Sequence, residues 1–175
     1  MNDITPILTN ASAILSHPTW DVILFAGLFA IGVFYGLWAG RKRIISAIIY
    51  TYVALALLSA IPISAVVRFT GMKEEYTIQM GVFAITFLIL FFFLGRGKVI
   101  GFPAAQSWWQ TFLLSFIQLG LLAHIIIGFL PPSYIRTFAP LTKAVFATPE
   151  YHIWWLLIPI ITLIIVRRLG VRDEW

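Results

Sequence analysis

Of the 175 residues, 61% are hydrophobic and 11% charged, whereas a soluble domain has about 45–50% and about 25%. Water is therefore excluded as the main solvent, and the length suits one bundle of membrane helices with no sizeable soluble domain. The net charge of +5 is carried at the ends of apolar stretches, where it sets topology and meets anionic lipid headgroups, so a bilayer and not nucleic acid is the expected partner.

The first forty residues contain no Lys or Arg, so a cleaved signal peptide with a basic n-region is not expected and the first helix should stay in the mature chain. Residues 1–19 read as a tail ending in His17-Pro18-Thr19, with Thr19 a candidate N-cap. The first predicted span, 20–39, carries Gly32 and Gly36 and runs into Gly40, Arg41, Lys42 and Arg43. Glycines four apart share one helix face and let another backbone approach closely. That backbone belongs either to this bundle or to a partner helix or second copy. The second span, 44–67, contains Pro62 and should kink there. A polar loop leads to the third span, 78–94. The basic turn holding Arg96 and Lys98 lacks the spacing and the Ser/Thr of a phosphate loop; it reads as a headgroup contact.

The fourth span, 108–130, is the polar one. Gln106, Gln110, Gly120, His124 and Gly128 fall on one face, with Gln118, Ser115 and Thr111 on a second. His124 is the ionisable residue deepest in a predicted span. It serves either as interhelical glue or as part of a small pathway. In 133–149, Tyr134, Phe138, Leu141 and Val145 form an apolar stripe interrupted by Pro140, a pattern for a helix lying in the membrane interface. The last apolar run, 151–166, would reach only about 24 Å of a core about 30 Å thick.

Charge decides whether that run crosses. With five spans, Arg41, Lys42, Arg43, Arg96, Lys98, Arg167, Arg168 and Arg172 share one side, against Arg68, Lys73, Arg136 and Lys143 on the other. The positive-inside rule then puts the N-terminus outside and the C-terminus in the cytoplasm. Six of the tryptophans lie near span ends, as an indole at the interface should.

Signals for chemistry are sparse. Asp21 sits in the first turn of span one, where a carboxylate is favoured by the helix dipole. With His17, Glu150 and His152 it defines a candidate acid/base cluster at the outer surface. Cysteine is absent, which removes thiol chemistry and thiolate metal sites. No catalytic, cofactor or metal residues are assigned, and no cofactor is expected.

Trp20-Asp21, then the apolar helix, Gly36 and Gly40, Arg43 and Ser46 give the first hairpin a resemblance to the colicin V production protein family of bacterial inner-membrane proteins. The resemblance covers about the first 130 residues. Ile44 replaces the acidic residue often found after the arginine, and the fifth span is not typical. The resemblance implies a plasma-membrane accessory protein linked to toxin export or envelope processes, with no established catalytic residues. The overall expectation is an all-α integral membrane bundle of five spans forming one domain, 1–175. Its expected role is non-catalytic accessory or assembly work. A transporter using the His124 stripe and an enzyme at the outer surface are the alternatives.

Overall fold

The computed structural model describes residues 20–72, 74–94 and 108–172, and within them the chain is an all-α bundle with five helices long and apolar enough to cross a membrane. It is a multi-pass membrane protein. The first helix, α1 (Trp20–Ala39), ends at Gly40, and α2 (Arg41–Ala60) begins on the next residue. Gly40 adopts φ +83°, a left-handed conformation that costs a side-chain-bearing residue energy. Gly40 is therefore the hinge of the hairpin and not a third groove glycine.

The expected kink in span two is a full break. Pro62 has no N–H to donate and disfavours helical geometry in the residue before it; Ile61 accordingly turns extended (ψ 125°) and α2 stops at Ala60. A separate short helix, α3 (Ile63–Thr70), follows and ends at Gly71 with φ +68°. Next come α4 (Glu75–Phe93) and α5 (Trp108–Phe129).

The segment expected to lie as one interfacial helix is instead broken into turns. These are α6 (Pro132–Ile135), α7 (Pro140–Thr142), a π-helical turn (Lys143–Ala147) and a 3-10 turn (Pro149–Tyr151). Its predicted stripe does not face the bundle as a unit: Tyr134, Leu141 and Val145 are exposed, whereas Ala139 and Thr142 are buried. The last helix, α8 (His152–Arg172), is longer than its apolar core. At about 1.5 Å per residue it extends about 31 Å, enough to cross the hydrocarbon.

The central helix is α5, against which α1, α2 and α8 pack, while α2 also packs on α4. Ile44, Ile45 and Ile48 of α2 meet Leu114 and Val166 in one core cluster; Ala54 and Leu58 meet Phe83, Leu121 and Ile125 in a second. Small residues bring the helices together. A Cβ on Gly32 would run into Leu119, and one on Gly36 into the Ser115 hydroxyl. The glycine face of α1 is thus occupied from inside the chain, by α5.

The polar face of α5 forms a hydrogen-bonded seam with its neighbours. Gln118 Nε2 donates to Thr51 Oγ1 at 2.8 Å, and Ser115 Oγ to the Thr111 carbonyl at 2.8 Å. Gln110 is buried on the same helix. From α2, the Tyr52 hydroxyl donates to the Leu156 carbonyl of α8 at 2.6 Å, in the turn before the in-helix Pro159.

Arg41 departs from its expected role at the headgroups. It is buried, and its Nη2 donates to the Val166 carbonyl of α8 at 3.1 Å. Lys42, Arg43, Arg167 and Arg168 are exposed. Arg96 and Lys98, like Gln106 and His17, lie outside the described residues.

Candidate functional site

The N-terminus of α1, the C-terminus of α5 and the N-terminus of α8 share one end of the bundle, the Asp21 end. His124 stands five residues before the last residue of α5, about 8 Å along the axis. It belongs to the end of the bundle, not its middle. The turns between α5 and α8 fold back over these helix ends as a lid.

The working part of the lid is the eight-residue helical stretch 140–147, α7 running into the π turn. Pro140 occupies the first helical position, where its missing N–H costs nothing. Just before it, the Ala139 N–H donates to Asp21 Oδ2 of α1 at 2.8 Å. Asp21, expected as a dipole-favoured helix start, is fully buried and ties down the lid.

A helix end leaves four carbonyls without intrahelical partners, and in the lid four consecutive ones are taken by side chains. Thr148 Oγ1 donates to the Lys143 and Ala144 carbonyls at 3.2 and 3.0 Å. Trp155 Nε1 of α8 donates to Val145 O at 2.8 Å. His124 Nδ1 donates to Phe146 O at 2.8 Å. The spans therefore cap the lid helix at both ends: Asp21 in front, His124 and Trp155 behind.

His124 Nε2 lies 2.8 Å from His152 Nδ1. Because His124 Nδ1 carries the proton given to Phe146, a neutral His124 accepts at Nε2 and His152 donates from Nδ1. The arrangement accommodates one further proton on His124, which then donates from both nitrogens. A proton on each ring would set N–H against N–H.

Aromatic packing closes the site. Trp155 stacks on His124 (6.1 Å, 18°) and on Phe146 (5.2 Å, 24°). Phe146 stacks in turn on Phe25 of α1 at 5.7 Å, and Phe138 meets Phe25 edge-on at 6.4 Å. Gly120 makes room for the Trp155 ring, which any Cβ there would strike. Gly128, placed by the sequence on the same face, has open space around it.

The expected acid/base cluster is thus divided. His152 joins His124, Asp21 joins the Ala139 backbone, and Glu150 is exposed on the 3-10 turn. Among the described residues no three His, Asp or Glu side chains converge as a metal site. Sequence reasoning missed Trp155, Phe146 and Thr148. A signal for the first was present: Gly120 and His124, one turn apart on α5, match Trp155 and His152, one turn apart on α8. Comparison with family models, with curated proteins and with solved structures gives no match.

Proposed function

We propose that this chain is a non-catalytic accessory protein of a bacterial inner membrane, with the Asp21 end outside and the lid as its partner-binding surface. The observation that carries the reading is the use made of the ionisable groups at that end. Asp21 and His124 both bind lid backbone, so their hydrogen-bonding capacity goes into fixing a surface. Catalytic groups would instead point toward a reacting centre.

The surface so held is aromatic and apolar. Tyr134, Leu141, Tyr151 and Trp154 are exposed on or beside it, and a cavity of about 380 Å³ opens between Val145, Tyr151, Trp154 and Ile158. Tyr and Trp are enriched among binding hot spots. The resemblance of the first hairpin to colicin V production proteins supports the same kind of role, in toxin export or envelope processes. The eight-against-four distribution of cations supports the orientation.

Photo-crosslinking in cells tests this. A crosslinker at Leu141 or Val145 should give a protein adduct that one at Ile165, exposed on α8, does not. The adduct should diminish in Asp21→Leu, which releases the front of the lid. Lid positions that yield the same products as Ile165 would remove the reading.

A further inference from the structure

An open apolar groove runs along α1: toward Ala39 it lies between α1 and α4 with α5 as its floor, and toward Leu24 it is lined by α1, α5 and Phe138 of the lid. Two adjoining cavities, about 260 and 610 Å³, share Gly32, Tyr35, Leu119 and Leu122. Together they run from Ala39 to Leu24 along α1, about 22 Å at 1.5 Å per residue. One leaflet of the hydrocarbon is about 15 Å deep, so the groove encloses a chain over its whole leaflet.

The groove is polarised. Among the described residues lining it, Arg43 is the one charged group, and it stands at the Ala39 end; the far cavity is lined by Leu24, Leu130 and Phe138. The Arg43 guanidinium lies 5.4 Å from the centroid of Phe91 on the opposite wall. Lys42 is exposed beside it. Both belong to the first turn of the 20-residue α2, which has no acidic residue there and a glycine N-cap offering no side-chain hydrogen bond. Arg43, with the exposed Lys42 next to it in sequence, gives the Ala39 end of the apolar groove a positive charge that complements an anionic headgroup.

We propose that this groove binds an anionic glycerophospholipid, its phosphate at the α2 N-terminus beside Lys42 and Arg43 and one acyl chain along α1. The headgroup site lies at the end opposite the lid, and the proposal does not depend on the accessory reading.

The test is lipid retention by the purified full chain, measured by native mass spectrometry after exchange against equal mixtures of phosphatidylglycerol and phosphatidylcholine. Phosphatidylglycerol should be retained over phosphatidylcholine by about tenfold, given two cations near the phosphate. The double variant Lys42→Gln/Arg43→Gln, at exposed positions, should bring the ratio near unity. Leu88→Trp, in the groove wall, should lower retention of bound lipid with the charges untouched. Equal retention of the two lipids by the parent chain would overturn the proposal. So would a preference that survives the double variant, or a second protein copy occupying the groove in a lipid-free dimer.

Discussion

His124 spends both ring nitrogens on hydrogen bonds, one to the Phe146 carbonyl and one to His152. Truncation to Ala leaves the Phe146 carbonyl without its donor beside Trp155, whereas the exposed His152 can turn to water. An orphaned buried polar group costs about 1–3 kcal/mol. His124→Ala should therefore lower the stability of the detergent-solubilised protein by about that amount in thermal unfolding. His152→Ala should cost less, since it breaks one of the two bonds, and the double variant should fall short of the sum because the bond they share is lost only once. An additive pair would mean that the rings do not interact. The carboxylate of Asp21 and the indole of Trp155 act in the same manner, as polar ends of spans fastened to backbone that a helix of only eight residues leaves open.

At the scale of helices, glycine position decides tolerance. Gly36→Leu drives a side chain into Ser115 and Ile44 and should separate α1 from α5, seen as loss of folded protein in detergent. Gly27→Leu and Gly81→Leu meet nothing within 4 Å and should unfold at the parent temperature. Gly40→Ala should cost about 1–3 kcal/mol for its positive-φ backbone. The existence of the five long helices was legible because each is an apolar run bounded by Gly, Pro or charge. The fate of 133–149 was not legible. Its i, i+4 stripe describes a helix with one apolar face, but Pro140 permits a helix only from that residue on, and Asp21, 118 residues upstream, fixes where it begins. Likewise, nothing local distinguishes Arg41 from Lys42 and Arg43; only the packing of α2 against α8 selects which of the three turns inward.

The whole molecule is a two-helix core flanked by three more exposed helices. Over their most apolar stretches α5 is 56% and α2 44% buried, against 6% for α1 and 11% each for α4 and α8. Lipid therefore touches most of three helices, and the hydrogen bonds of Tyr52 and Arg41 to α8 do work that apolar packing cannot do between surfaces equally at home in hydrocarbon. A reporter fused after Trp175 should read as cytoplasmic in cells; a periplasmic signal would invert the assignment of the lid to the outside and of the groove mouth to the inner leaflet.

The link from Arg41 to the Val166 carbonyl spans 125 residues, and it has a meaning in time. A ribosome adding about 5–20 residues per second needs about 6–25 s to travel that far. The first hairpin thus enters the bilayer carrying a guanidinium whose acceptor on the last helix does not yet exist. Until α8 arrives, that charge favours keeping the base of the hairpin near the water, and the arrival of α8 lets it settle inward. On this reading, the bond between the first hairpin and the last helix is among the last contacts of the bundle to form.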